Sequence, residues 1–182
     1  MTPNVCYALL DAAIIGGRGE EPVVVAGTRV WSHARLLEEV AALGGVLRHL
    51  GVGVAVPCVV DLEPGPANDL DAVVAALAIA RLGGVVTTQP DASAPVVVTA
   101  ASSPAPSDQQ RLVRGEPGTP VPEPDLDWVV MIRAGRTDPA ACEVLTPGAP
   151  YSPDRTVAEE MAVVEGHPTP YDVADLRRML QA

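Results

Sequence analysis

Apolar residues recur at intervals of three or four in five stretches of the chain and gather in short β-branched runs in several others. The first helical pattern covers residues 4 to 15, with Val5, Leu9, Ala12 and Ala13 on one face and Gly16-Gly17 as its stop. Pro22 to Ala26 is a β-branched run, Gly27-Thr28 a turn, and Arg29 to Trp31 a returning strand, so a small hairpin is expected. Ser32 is placed to cap a long helix reaching Leu50, with Leu36, Leu37, Val40, Leu43, Leu47 and Leu50 at helical spacing and Gly51 closing it. Gly44-Gly45 inside that helix costs about 1 kcal/mol per glycine relative to alanine, which points to close approach by another element.

Val56 to Val60 is unbroken and apolar, the pattern of a strand buried on both faces of a parallel sheet. After the Pro64-Gly65-Pro66 turn, Asn68 or Asp69 caps a helix over Leu70 to Leu82, which is apolar on most sides and ends at Gly83-Gly84. Val85-Val86 and Val96 to Thr99 supply two further strands. Strands alternating with helices predict right-handed crossovers and an α/β fold: layers, with a mainly parallel sheet flanked by helices. Residues 101 to 126, rich in Ser, Pro, Asp and Glu, read as a surface loop with one short strand near Leu112-Val113. Trp128 to Ile132 reads as another buried strand, opening into a loop that holds Gly135 and Thr137. Ser152-Pro153 starts a helix to about Val164, with Val157, Met161 and Val164 facing in, and Thr169-Pro170 restarts the chain into a helix over Val173 to Leu180 that carries Arg177-Arg178 in its last turn.

Composition narrows the chemistry. The 182 residues are enough for one good core, and with 48% apolar residues but no Phe that core is made of Val, Leu and Ala. Every one of the 12 basic residues is Arg, so no lysine-dependent chemistry can come from this chain. A net charge of −11 repels nucleic acid and anionic membranes. Cys6, Cys58 and Cys142 are widely spaced without a CxxC pair and read as reduced thiols, and His33, His49 and His167 are scattered, so no local metal site is expected. With neither a signal-peptide pattern nor an apolar run of membrane-spanning length, the expectation is a soluble, cytoplasmic protein.

The segment Thr28-Arg-Val-Trp-Ser-His-Ala-Arg-Leu-Leu-Glu-Glu-Val40, continuing through Leu47 to Gly53, resembles the hairpin-to-helix entry and the helix exit of the AMP-forming adenylating enzymes, the superfamily of acyl-CoA synthetases and adenylation domains. Ala72 to Val86 is similar to that family's next helix and strand, and Pro90-Asp91 sits at its following turn. The resemblance runs from about residue 5 to about residue 165 and implies the fold of the family's N-terminal subdomain. It places residues 132 to 144 at the loop that cradles ATP phosphates, a loop that works through glycines, hydroxyls and a lysine. Gly135 and Thr137 match in type, Arg133 and Arg136 take hydroxyl positions, Asp138 replaces a glycine, and Ala141 or Cys142 replaces the lysine. The adenine pocket, the Mg-binding acid, the ribose-binding aspartate and the catalytic lysine of the family have no counterpart in residues 145 to 182. The expected organisation is one α/β domain: a first helix, hairpin and βαβαβ core over 1 to 100, a loop over 101 to 126, then a strand, a degenerate phosphate loop and helices over 127 to 182.

Arg133, Gly135, Arg136 and Thr137 are therefore the candidate ligand residues, for ATP or AMP with Mg by resemblance, set against a solvated loop with two surface arginines. Cys142 without a neighbouring histidine reads as inert, His33 and His49 have no partner that would make a base, and Glu38-Glu39 and Asp69 with Asp71 read as solvated surface. No catalytic residue is assigned. The expected function is that of a shortened, inactive relative of an acyl-CoA synthetase that works through protein binding, as a homodimer or on an intact synthetase, because removing half of a larger fold leaves apolar surface and a sheet edge to cover. The alternatives are a ligase component that binds nucleotide or an acyl substrate and adenylates a carboxylate only with a partner chain, and a stable fold without chemistry.

Overall fold

A computed structural model describes residues 3–100 and 108–181. Asn4 opens the chain's first helical segment: its side-chain oxygen accepts from the backbone N–H groups of Cys6 and Tyr7. A π-helical turn, Tyr7–Asp11, runs into α1 (Ala12–Ile15), and the extra residue per turn lets both Leu9 and Leu10 bury where an α-helix would bury one. Strands β1 (Pro22–Ala26) and β2 (Arg29–Ser32) form the expected hairpin. Ser32 caps α2 (His33–His49) by accepting from the N–H of Arg35.

Five strands form one parallel sheet in the order β4 (Val85–Thr87), β3 (Pro57–Asp61), β5 (Val96–Ala100), β6 (Gln110–Arg114), β7 (Leu126–Asp127). Helix α3 (Asp69–Arg81) crosses from β3 to β4 and is buried along its whole length. Its carbonyl end is met by the Asn4 amide, which donates to Ala80 O, and by Glu143 N, which donates to Arg81 O. The Arg81 guanidinium donates twice to Asp11, at 2.8 and 3.1 Å, and once to Ala140 O. One apolar cluster extends from Val5 to Leu180, and a small second one, Val59, Ala94 and Val97, gathers separately on β3, β5 and the turn before β5.

Three expectations change. Trp128 to Ile132 does not continue as a strand: β7 ends at Asp127, whose carboxylate caps α4 (Trp128–Gly135) by accepting from Val130 N at 3.0 Å. The run is apolar at both periods, but Trp128, Ile132 and Gly135 share a helical face that buries against α2, while Val129 and Val130 stay exposed. The helix expected from Ser152 starts later, at Val157. Ser152 is buried in a small hairpin of β8 (Pro150–Ser152) and β9 (Arg155–Thr156), and Thr156 forms a capping box with Glu159 at the head of α5 (Val157–Glu165). Last, β10 (Tyr171–Asp172), absent from the sequence expectation, pairs in parallel with β1 before α6 (Val173–Leu180). The short strand near Leu112-Val113 is present as β6, and its preceding residues 101 to 107 lie outside the described part. Among the described residues no helix is long and apolar enough to cross a membrane.

The glycines of α2 do admit another element. A Cβ on Gly45 would stand 2.2 Å from the Asp138 carbonyl oxygen, and one on Gly135 would stand 2.1 Å from that of Ala42. Ala140 N also donates to Ala41 O at 2.9 Å, so α4 and the segment after it lie on α2 backbone to backbone.

Gly45→Ala and Gly135→Ala should each lower stability by about 1–3 kcal/mol, whereas Gly148→Ala, with open space around it, should stay within about 0.5 kcal/mol; urea unfolding measures all three. Glu160 gives a second expectation. It is fully buried, accepts from Arg155 at 2.8 Å through one oxygen and leaves the other without a partner, and burial raises its pKa above the ordinary value while Arg155 pulls it back. The folded chain then holds a proton that the unfolded chain has lost, so this group's contribution to stability is present below the unfolded pKa and is lost as pH rises through the folded one. Urea midpoints between about pH 4 and about pH 7 should fall less steeply in Glu160→Gln than in the parent chain.

Candidate functional site

In the sheet, β3 connects through α3 to β4 on one side while β5 lies on the other, so the chain reverses direction across the sheet between β3 and β5. Open parallel sheets have their ligand crevice at the carboxyl ends of the strands beside such a reversal. Here those ends carry Asp61 and Thr99, which are register partners, with the Thr99 hydroxyl donating to the Asp61 carboxylate at 3.3 Å. A cavity of about 500 Å³ opens over the end of β3, walled by Asp61, Glu63 and Thr88 on one side and by Ala174 and Arg178 of α6 with Gln181 just after it on the other.

The charged group at its base is already spent. Arg177 is buried, and its guanidinium donates to Asp69 at 2.8 Å, to the carbonyls of Glu63 and Leu62, and through Nε to Gln181 at 2.9 Å. Asp69 also accepts from Gly65 N at 3.0 Å. Asp69 and Asp71 are thus not solvated surface, contrary to the sequence reading. Asp69 is 6% exposed and paired with Arg177, and Asp71 accepts from Arg114 Nε at 2.7 Å, its pKa raised by burial against that arginine's pull. The partners lie 108 and 43 residues away, beyond any local pattern.

The four residues singled out from the sequence fall on α4 and just after it. Gly135 faces the α2 backbone, so its open side is filled by Ala42. Arg136 is ion-paired with Glu39, which is therefore engaged as well. The Thr137 hydroxyl donates to Ala134 O at 2.7 Å. Arg133 alone of the four is exposed with no side-chain partner among the described residues, and it lines, together with Arg136, a groove of about 390 Å³ beside β2. A phosphate cradle works through several N–H and hydroxyl donors converging on one open point; here the Arg136 guanidinium and the Thr137 hydroxyl are engaged within the fold, Gly135 is closed by Ala42, and Arg133 is left facing the groove.

The scattered histidines and cysteines find partners that sequence spacing conceals. His49 Nε2 and Arg48 both reach the Asp138 carboxylate, at 3.0 and 2.8 Å, and these bonds, Arg48's first, hold that carboxyl below its usual range. Sequence gave His49 no partner; the turn after α4 supplies one. His33 is buried with Nδ1 2.9 Å from Leu9 O, and burial lowers its pKa. Cys142 is half-buried, and burial pushes its thiol up to about 12 in spite of Arg81 nearby, which keeps it protonated at neutral pH. Among the described residues no three His, Cys, Asp or Glu side chains gather as a metal site would require.

No family model matches the chain. Over 88 residues it is 39% identical to the uncharacterized protein PA3568 of Pseudomonas aeruginosa, a match that takes in 45% of this chain and 13% of that protein. Its structure is similar to that of an acyl-CoA synthetase from Brucella canis, with a TM-score of 0.66 and 16% identity over 82% of this chain and 30% of the synthetase. It is equally similar to the anthranilate CoA ligase AuaEII in complex with anthranoyl-AMP, with a TM-score of 0.66 and 16% identity over 82% of this chain and 31% of the ligase. At that identity the likeness establishes the fold, that of a part of the AMP-forming acyl-CoA synthetases. The chain spans less than a third of the length of these enzymes.

Removing either partner of the buried pair beneath the crevice leaves the other uncompensated, so Asp69→Ala and Arg177→Met should each cost about 3–5 kcal/mol. The double variant should cost clearly less than the sum of the two, which a double-mutant cycle in urea would measure.

Proposed function

We propose that this chain is a relative of the acyl-CoA synthetases that acts by binding another protein, either a second copy of itself or an intact synthetase, and does not adenylate a carboxylate on its own. The observation that carries this reading is the closure of Gly135 against Ala42, with the hydroxyl of Thr137 and the guanidinium of Arg136 engaged beside it. Adenylation develops charge on a phosphate, which donors fixed in advance must stabilise. Donors bound into helix contacts are not free to do so, and a chain whose basic residues are all arginine supplies no lysine for the same purpose.

A second reading, a component that binds ATP or AMP with Mg, or an acyl substrate, and completes its site with another chain, is favoured by the cavity over the carboxyl end of β3 at Asp61, the end at which open α/β sheets bind ligands. Titration calorimetry with ATP-Mg and with an acyl-adenylate analogue separates the two. The first reading expects no saturable heat; micromolar binding that disappears in Arg136→Ala would sink it. Light scattering at micromolar concentration should report a dimer, or a complex when the synthetase is added, and a strict monomer with neither would remove the protein-binding role.

A further inference from the structure

Both tryptophans of the chain line one groove. Trp31 of β2 and Trp128 of α4 flank the 390 Å³ space between the hairpin and the first turns of α2, α3 and α4, with Leu70, Val74 and Ile132 as further apolar lining. Five arginines, Arg29, Arg35, Arg114, Arg133 and Arg136, surround it against two carboxylates, Glu39 and Asp71. Those two acids are taken by Arg136 and Arg114. Arg35 lies over the Trp31 ring, 4.2 Å from its centroid, and has no carboxylate. Arg29 and Arg133 are exposed and make no ion pair or hydrogen bond among the described residues. The indole N–H of Trp31, a residue only 8% exposed, is buried without an acceptor. A chain of net charge −11 thus gathers three guanidinium groups without a carboxylate partner among the described residues, one of them stacked on Trp31 and two, Arg29 and Arg133, open to solvent.

We propose that this groove docks a short acidic segment of a partner protein, its carboxylates on Arg29, Arg35 and Arg133 above the buried tryptophans and its apolar side chains on Val129 and Val130. The inference rests on the protein-binding reading above and adds the chemistry of the partner. Tryptophan and arginine are the residue types that dominate binding energy at protein interfaces, and arginine forks meet carboxylates two bonds at a time. Exposed Val129 and Val130, 42% and 59% accessible on the solvent side of α4, extend the apolar contact next to the charges. Charge complementarity also limits the partner's form. The whole chain repels an acidic body at range, so the carboxylates must come on a segment slender enough to enter within a Debye length of about 8 Å of the arginines.

Because the two tryptophans are the chain's only ones, their emission reports the groove directly. The probe is a short tryptophan-free peptide of alternating aspartate and leucine, with a control in which asparagine replaces aspartate, titrated into the full chain. The expected result is a saturable change in emission, weakened about tenfold or more by the asparagine peptide and about tenfold in Arg133→Ala and in Arg29→Ala, with unfolding midpoints unchanged in both variants. Equal binding of the two peptides, indifference to both substitutions, or displacement of the peptide by ATP or by anionic lipid vesicles would each overturn the proposal. A silent peptide titration alongside silent nucleotide calorimetry would remove the groove and leave the protein-binding reading standing, whereas nucleotide heat without peptide displacement would do the reverse.

Discussion

A charged side chain moved out of water costs several kcal/mol unless a partner meets it, and α3, apolar in between, carries Asp69 and Asp71 in its first turn and Arg81 in its last. Asp11 answers Arg81 from the start of the chain, and Arg177 answers Asp69 from near its end. These two contacts fix where the N-terminal helical segment and α6 lie against α3, beside the buried leucines that both segments add to the core, Leu9 and Leu10 from one and Leu176 and Leu180 from the other. The backbone ends of α3 are met in the same way, by Asn4 and Glu143 at the carbonyl end. With α3 fixed, α2 packs on α3, and α4 packs on α2 through its glycines.

The sequence made some of this readable and hid the rest for identifiable reasons. Val56 to Val60, Val96 to Thr99 and the α2 and α3 patterns were legible because a continuous β-branched run and a 3.6-residue period leave little choice. Trp128 to Ile132 was not, because five apolar residues in succession satisfy both periods, and the decision came from a cap at Asp127 and a glycine face on α2 that is distant in sequence. The Gly44-Gly45 pair did announce a close neighbour, but not which one. Strand β10 is two residues long and shows no pattern of its own until β1 lies beside it.

The same division applies to the candidate site. Residue type picked out Arg133, Gly135, Arg136 and Thr137, yet their use depends on Ala42, Glu39 and Ala134, which only the packing brings to them. The architecture follows that of a part of the acyl-CoA synthetases, and within it Gly135 is closed by Ala42 while Arg136 and Thr137 are met by Glu39 and Ala134. What stays free among the described residues is positive charge, Arg29 and Arg133, beside a buried pair of tryptophans.

The parallel pairing of β1 with β10, Val24 with Tyr171, together with the Asp69–Arg177 contact, bears on how the chain is born. A ribosome delivers Asp69 108 residues before Arg177, an interval of about 5 to 20 s at ordinary rates of synthesis. Throughout that interval Asp69 lacks its guanidinium partner, and β1 presents one bare edge to water or to neighbouring nascent chains. The native arrangement therefore closes late, by contacts of long sequence separation that form slowly.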